Sequence, residues 1–210
     1  MDMPTRQELR EAFVSRHGSE LQRKLDRSVV AICGLGGLGS NIAIALTRAG
    51  VGKLILTDYD KVDITNIHRQ QYYADQIGMY KTEAIKDNLK RINPYMELEL
   101  HNLKISEDNI EELLGQADII CEAFDKADQK AMLVNFILEH FPEKYLVAGS
   151  GMAGLDSVNL IKTREITKHF VICGDGNSDV NTSGSLMASR VMACASHEAH
   201  AVIQIINQNV

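Results

Sequence analysis

A short apolar run followed by a glycine-rich turn constrains this chain more than any other feature. Residues 29–33 (VVAIC) are apolar, residues 34–39 read GLGGLG, and residues 41–49 repeat apolar side chains at helical spacing. Strand, tight turn and helix in this order form half of a nucleotide site, and Gly34, Gly36 and Gly39 have the GxGxxG spacing. Glycine suits the turn because a side chain would keep the backbone away from a phosphate, to which the helix N-terminus offers free N–H groups. The pattern predicts nucleotide binding, and a glycine turn without a ligand is the alternative.

The next strand completes this half-site. Residues 53–57 (KLILT) have the composition of a buried strand and end at Asp58. Asp58 lies about 20 residues beyond the glycine turn, where an acidic side chain can accept a hydrogen bond from a ribose hydroxyl. The two strands and the helix between them therefore predict a βαβ nucleotide-binding unit.

Length and element pattern favour one α/β domain over residues 1–210. The chain has 210 residues, of which 45% are hydrophobic and 24% are charged, which suits a single compact domain. We divide it into an N-terminal helical segment (1–27), a nucleotide-binding core (28–150), and a region of antiparallel strands, crossover loop and closing helix (151–210). Further strands are predicted at 97–102, 117–124, 144–150, 157–163 and 170–173, and the closing helix at 186–207. The prediction is a doubly wound, Rossmann-like, mostly parallel sheet with an antiparallel C-terminal extension after about Gly151.

Charge, hydropathy and cysteine spacing exclude several classes of protein. A net charge of −6 disfavours a nucleic-acid surface. The chain has no apolar run long enough to span a membrane and begins with a polar, charged segment rather than a signal peptide, so we expect a cytoplasmic protein. Its four cysteines form no C-x-x-C pair, which argues against a disulfide framework and against a zinc site.

Polar and charged residues follow the predicted strands where parallel sheets place ligand-binding groups. The set comprises two acids, two cations, two amides and a further acid, namely Asp58, Asp60, Arg69, Lys81, Asn66, Gln70 and Asp125. Cations balance phosphate charge, and an acid at a strand end can hold Mg²⁺ on a triphosphate, whereas a nicotinamide site needs no such clamp. The set suits adenylyl transfer, in which a carboxylate attacks the α-phosphate of ATP and pyrophosphate leaves.

At this point the sequence resembles the ThiF/MoeB adenylyltransferases, relatives of the ubiquitin-activating enzymes. Over roughly 100 residues the order and spacing of the motifs match the family's far beyond a single fingerprint. The matching motifs are GLGGLG (34–39), GVG (50–52), DYDKV (58–62), NIHRQ (66–70), QIGMYK (76–81), NP (93–94) and FD (124–125). The short, zinc-less ThiF variety associated with thiamine thiazole synthesis looks closest.

The resemblance implies a role for each candidate residue. Asp58 would hold the ribose, and Asp125 would coordinate Mg²⁺. The remaining nucleotide contacts would come from Gly34, Gly36, Gly37, Gly39, Asp60, Asn66, Arg69, Gln70 and Lys81. The family also uses an arginine from the N-terminal helix, donated across a homodimer; Arg16 is the first candidate and Arg10 the second.

The resemblance also implies a protein substrate. That substrate would be the C-terminal Gly-Gly carboxylate of a small ubiquitin-like sulfur carrier similar to ThiS. The glycine-rich segment 149–154 would line its channel or form a simple turn, and both interpretations stay open.

The chain departs from the pattern of some relatives at its cysteines. It lacks the two C-x-x-C pairs that hold zinc in many of them, so we predict no zinc. It also has no cysteine in the predicted crossover loop at 180–183, which makes a thioester or persulfide step doubtful. Cys173 is the one remaining candidate for a reactive thiol, with a buried core cysteine as the alternative.

Three other functions stay open at the level of sequence. An NAD(P)-dependent oxidoreductase would leave Arg69, Lys81 and Asp125 without a shared purpose. A non-catalytic nucleotide-binding partner would bind ATP without turnover. A different acceptor, such as a threonylcarbamoyl group on tRNA or a peptide C-terminus, would use the same adenylylation chemistry.

Overall fold

The computed structural model describes residues 3–209, so the ends of the predicted domain (residues 1, 2 and 210) lie outside the described residues. The described chain forms seven strands: β1 Val29–Cys33, β2 Lys53–Thr57, β3 Glu97–His101, β4 Ile119–Glu122, β5 Tyr145–Gly149, β6 Lys162–Thr167 and β7 Phe170–Gly174. Its α-helices are α1 Arg6–His17, α2 Ser19–Arg27, α3 Gly37–Ala49, α4 Lys81–Ile92, α5 Ile110–Leu114, α6 Ala127–His140, α7 Val180–Ser183 and α8 Ala188–Asn209. Short 3₁₀ turns occur at Ile64–Asn66, Ala74–Gln76 and Val158–Leu160.

The strands form one sheet in the order β3-β2-β1-β4-β5-β7-β6. Every neighbouring pair is parallel except β6 with β7. The chain runs outward from β1 to β3 and then returns to lay β4 on the other side of β1. This reversal confirms the doubly wound, mostly parallel prediction and creates a crevice beyond the carboxyl ends of β1 and β4, where such sheets bind ligands.

Alternating strand residues build a core on each face of the sheet, as the two-residue period of a strand requires. Val30 and Ile32 of β1 point into the core formed with α3, α4 and α8, whereas Ala31 and Cys33 point into the core formed with α5 and α6. All four are fully buried. Both faces of the sheet are thus packed against helices.

The helices begin and end where local chemistry directs them. Thr5 caps α1 in a capping box with Glu8, which satisfies N–H groups that the first turn leaves free. Gly18, at φ +82°, separates α1 from α2. Gly50, also at φ +82°, ends α3 in the left-handed conformation that favours glycine.

The C-terminal region differs from the prediction in three ways. The strand predicted at 157–163 is instead the 3₁₀ turn Val158–Leu160 followed by β6, and the predicted crossover loop at 180–183 forms the short helix α7. Ser157 explains the first difference, because its hydroxyl accepts a hydrogen bond from Asn159 N and competes with an extended backbone. The antiparallel extension is limited to β6, since β7 lies parallel to β5. No helix within residues 3–209 has the length and apolar character needed to cross a bilayer.

Candidate functional site

A cavity of about 430 Å³ lies at the carboxyl ends of the strands, in the crevice between β1 and β4. Ten of the sequence-predicted site residues line it: Gly34, Gly36, Gly37, Asp58, Asp60, Asn66, Arg69, Gln70, Lys81 and Asp125. Gly39 and Arg16 do not. Part of the cavity is therefore built from the βαβ unit predicted to bind a nucleotide, and the rest from segments that follow β2, β4, β5 and β7.

The glycines of the turn meet different steric demands. Gly34 has φ +94°, and a side chain there would lie 2.9 Å from the carbonyl oxygen of Ala123. Gly36 has open space around it, its nearest neighbour being Gln70 Nε2 at 3.9 Å, so its backbone is accessible from the cavity. A side chain at Gly39 would overlap the carbonyl oxygen of Gly34. Gly39 thus permits α3 to pack closely on the turn, as the third glycine of this motif does in dinucleotide folds.

Asp58 ties the glycine turn to the end of β2. Its Oδ2 accepts a hydrogen bond from Leu35 N at 2.6 Å, and its Oδ1 accepts one from Asp60 N at 2.8 Å. Burial raises the pKa of Asp58, although the charge of Lys81 and the two N–H donors oppose this. The carboxyl is therefore positioned by the backbone, with lone pairs left for a further donor.

Lys81 brings a buried positive charge to the two acids. Its Nζ lies 2.9 Å from Asp60 Oδ2 and 3.8 Å from Asp58 Oδ2. The side chains of Lys81 and Asp58 are 6% and 8% exposed, whereas that of Asp60 is 52% exposed. The ammonium is thus fixed at the cavity wall by one buried and one accessible carboxylate.

Arg69 and Gln70 carry buried polar atoms that have no hydrogen-bond partner among the described residues: Arg69 Nε and Gln70 Oε1. Arg69 Nη1 reaches Thr65 O and His68 Nε2 only at 3.4 Å. Because buried polar groups are almost always paired, unpaired ones at a cavity wall indicate groups that pair with a ligand. A guanidinium donor fits a phosphate, so these residues fit ATP.

Asp125 is exposed to the cavity on the turn after β4, and residues that the sequence reasoning missed hold that turn. Glu122, fully buried at the end of β4, accepts a hydrogen bond from Phe124 N at 2.8 Å. Lys130 of α6 lies 2.7 Å from Glu122 Oε2 and donates to Phe124 O at 3.0 Å. A glutamate within an otherwise apolar strand was the sequence signal that could have identified this role of Glu122. An exposed carboxylate on a braced turn fits Mg²⁺, which usually takes one or two protein carboxylates together with phosphates and water.

The other half of the cavity is formed by two loops that the sequence left without a firm role. Residues 149–153 begin at the last residue of β5, and residues 178–180 end at the first residue of α7. Glu198 of α8 packs closely against Gly149, since a side chain added at Gly149 would lie 2.7 Å from Glu198 Oε1. We refer to residues 149–157 and 175–180 together as the loop wall.

Arg16 and Arg10 lie on α1, away from this cavity. Arg10 pairs with Asp26 at 2.8 Å, and Phe13 packs against Gly50, which ends α3. The N-terminus of α3 faces the cavity and its C-terminus lies at the opposite edge of the sheet. Within one chain, Arg16 is therefore not brought together with the other site residues, and its action across a dimer stays a prediction.

The cysteines are all free and buried. Burial, reinforced by the charge of Glu198, raises the pKa of Cys173 to about 12, which leaves the thiol protonated and unreactive near neutral pH. Residues 3–209 contain no group of three or more His, Cys, Asp or Glu side chains placed to hold a metal ion.

Comparison with known proteins gives a family and a fold. The family described as "ThiF family" matches residues 9–209. The adenylyltransferase and sulfurtransferase MOCS3 of Aedes aegypti is 33% identical over 144 residues, which cover 68% of this chain and 32% of that protein. Ubiquitin-like modifier-activating enzyme 5 of Caenorhabditis elegans is 35% identical over 137 residues, which cover 60% of this chain and 32% of that protein. The chain thus spans about a third of the length of these relatives.

Solved structures share the fold at low sequence identity. The E. coli tRNA N6-threonylcarbamoyladenosine dehydratase TcdA, in complex with ATP, superposes with a TM-score of 0.85 at 19% identity, covering 98% of this chain and 97% of that one. E. coli MccB with ATP gives a TM-score of 0.72 at 22% identity, covering 91% of this chain and 59% of that one.

Proposed function

This chain belongs to the ThiF family, and we propose that it is an ATP-dependent adenylyltransferase acting on the C-terminal Gly-Gly carboxylate of a small, ThiS-like sulfur carrier in thiamine thiazole synthesis. A carboxylate oxygen of the carrier attacks the α-phosphorus of ATP and forms a new P–O bond. The bond from that phosphorus to the β-phosphate bridging oxygen breaks, and pyrophosphate leaves with the electron pair. The products are carrier adenylate and pyrophosphate.

One observation carries this proposal: a single cavity joins the glycine turn, two cations and an exposed carboxylate. Arg69 and Lys81 supply positive charge where phosphates would lie beside Gly36. The unpaired Arg69 Nε and Gln70 Oε1 support a ligand rich in acceptors and donors. Chemistry of this kind needs positioned reactants and stabilised charge more than it needs a protein nucleophile, which is consistent with the buried cysteines.

In this proposal the two ends of the nucleotide are held by different residues. Asp58 takes the ribose, and Asn66, Arg69, Gln70 and Lys81 surround the phosphates. Asp125 contributes a carboxylate ligand to Mg²⁺, which when bound neutralises part of the triphosphate charge. Gly39 acts indirectly, since it lets α3 seat its N-terminus beside the turn.

The relatives support the reaction class and the class of partner. MOCS3 is named an adenylyltransferase and sulfurtransferase, the Caenorhabditis elegans relative is named ubiquitin-like modifier-activating enzyme 5, and TcdA is described in complex with ATP. A ubiquitin-like carrier is therefore the partner we infer first. The net charge of −6 argues against a tRNA acceptor.

The test is ATP–pyrophosphate exchange with Mg²⁺ and a ThiS-like carrier that ends in Gly-Gly. Asp125→Asn removes the proposed metal ligand, and Asp128→Asn, an exposed acid one turn further along, is the matched control. We expect carrier-dependent exchange that is lost in the first variant and kept in the second. Tight NAD binding without exchange would instead favour an oxidoreductase. ATP binding without exchange on any acceptor would favour a non-catalytic nucleotide-binding partner. Exchange that depends on a peptide or a tRNA, and not on the carrier, would identify that molecule as the acceptor.

We further propose that Arg16 acts in trans within a homodimer. Arg16→Ala and Asp125→Asn should each be inactive alone. Mixing them after dissociation and reassociation should restore part of the exchange, because some dimers then contain one intact site. Failure to recover activity in a confirmed mixed dimer would contradict donation in trans, and Arg10→Ala tests the second candidate in the same assay.

A further inference from the structure

Arg190, in the first turn of α8, is a buried arginine that spans the two loops of the loop wall. It is 2% exposed and is among the largest fully buried side chains of the described residues. Its Nη1 donates to the carbonyl oxygens of Asp156 and Ser157, the latter at 3.2 Å, and its Nη2 donates to Asp175 Oδ2. One guanidinium therefore ties the loop after β5 to the loop after β7.

Asp175 extends this connection into the cavity. Besides Arg190, its carboxylate accepts hydrogen bonds from Asn177 N and Ser178 N, both at 2.8 Å. The hydroxyl of Ser178 in turn accepts one from Ala153 N at 3.0 Å. Ser178 and Ala153 both line the cavity, so the ion pair is one hydrogen bond away from its surface.

The backbone of the wall is shaped to this pair. Gly151 has φ +83°, and a side chain there would overlap Asp175 Oδ1. Although burial raises the pKa of Asp175, the N–H donors of Ser178 and Asn177 and the charge of Arg190 hold it below its ordinary value. A buried ion pair is a weak source of stability compared with apolar packing, so its presence behind a cavity wall calls for another role.

We propose that Arg190 and Asp175 are positioning residues for the acceptor: together they fix the loop wall against which the carrier's C-terminus lies. This inference rests on the proposed function. The nucleotide half of the cavity is organised separately, by the bonds that Asp58 and Lys81 make to the glycine turn and to Asp60. The pair therefore affects the acceptor and leaves ATP binding in place.

The test uses two conservative variants and a control. Arg190→Lys keeps the charge, but a compact ammonium cannot bridge two carbonyls and a carboxylate as the planar fork does. Asp175→Asn keeps an acceptor for the N–H groups and removes the ion pair. Arg48→Lys changes an exposed arginine at the end of α3. Circular dichroism identifies the variants that fold, and at least one positioning variant must fold for the comparison.

We expect the KM for the carrier to rise roughly tenfold or more in either positioning variant, since displacement of a positioning element by about 1 Å is costly. The Kd for ATP should stay within about twofold of wild type, and Arg48→Lys should match wild type throughout. An unchanged carrier KM in a folded variant would overturn the proposal. An equal loss of ATP affinity would also overturn it, because the pair would then hold the whole site.

Hydrogen exchange separates this inference from the proposed function. The amides of 149–157 and 175–180 should exchange faster in Arg190→Lys, while those of 34–39 keep their wild-type rates. Unchanged exchange in both loops would refute the positioning role even if the wild type adenylylates a carrier. Faster loop exchange, in a protein with no carrier-dependent activity, would refute the acceptor assignment together with the proposed function.

Discussion

Glu198 provides a test of how strongly the interior of this protein disfavours a charged carboxylate. It lies on α8, fully buried, with Oε1 3.7 Å from Cys194 Sγ and Oε2 without a hydrogen-bond partner among the described residues. Burial raises the pKa of Glu198 to about 8; the charge of Lys130 opposes this shift and that of Glu122 adds to it. Near neutral pH the buried carboxyl therefore carries its proton.

The magnitude follows from linkage between proton binding and folding. An unfolded glutamate loses its proton near pH 4.5 and the folded Glu198 near pH 8, so between these values the folded state holds one more proton. The free energy of unfolding then falls as the pH rises, by about 1.4 kcal/mol per pH unit for this one group. Relative to Glu198→Gln, which cannot titrate, the wild type should lose about 3 kcal/mol between pH 5 and pH 7.5.

The assay is urea denaturation of wild type and Glu198→Gln at half-unit steps from pH 5 to pH 8. Taking the difference cancels the other titrating groups. The control is Glu139→Gln, the same substitution at an exposed glutamate of α6. A difference in unfolding free energy between wild type and Glu198→Gln that does not change with pH would refute this reasoning, because burial would then not keep Glu198 protonated.

Three further predictions concern the site and the core. Gly39→Ala should lower the free energy of unfolding by about 2 kcal/mol or more, since the new methyl overlaps Gly34 O. Gly36→Ala should leave stability nearly unchanged and weaken ATP binding measured by calorimetry. The reverse pattern would contradict the roles assigned to these two glycines. Lys81→Met should cost about 3 kcal/mol near pH 7 by leaving buried Asp58 without its cation. The loss should be smaller in acid, because burial raises the pKa of Asp58 and its protonated form needs no cation; a loss independent of pH would count against that cause. Aromatic disulfide reagents should modify none of the four buried cysteines in the native protein within minutes and all of them in denaturant, and a fast-reacting native thiol would contradict the burial of these side chains.

The sequence predicted the half of the site that depends on local patterns. The glycine spacing and the acid that follows the next strand are separated by fixed numbers of residues, because one βαβ unit has nearly fixed dimensions. The strand ends at Asp58 and Asp125 could likewise be located from apolar runs that stop. Gly34, Gly36, Asp58 and Asp125, which all line the cavity, were accessible to this reasoning. The roles of Asn66, Arg69, Gln70 and Lys81 came from the family resemblance.

The supporting residues could not be predicted because their partners are distant in sequence. Glu122 pairs with Lys130 through the packing of β4 on α6, and Arg190 reaches Asp156 from the first turn of α8. Neither pair has a characteristic spacing. The strand predicted at 157–163 was wrong because alternating apolar residues were taken to face a core. In the structure Val158 and Leu160 are 44% and 50% exposed, and the sequence pattern does not reveal this.

The most direct measurement of the central claim is the intact mass of the carrier after incubation with this protein, ATP and Mg²⁺. We expect a carrier that gains one AMP moiety, with release of pyrophosphate, and no gain when its C-terminal carboxylate is amidated. An unmodified Gly-Gly carrier, under conditions where ATP is shown to be bound, would contradict adenylylation of a sulfur carrier by this chain.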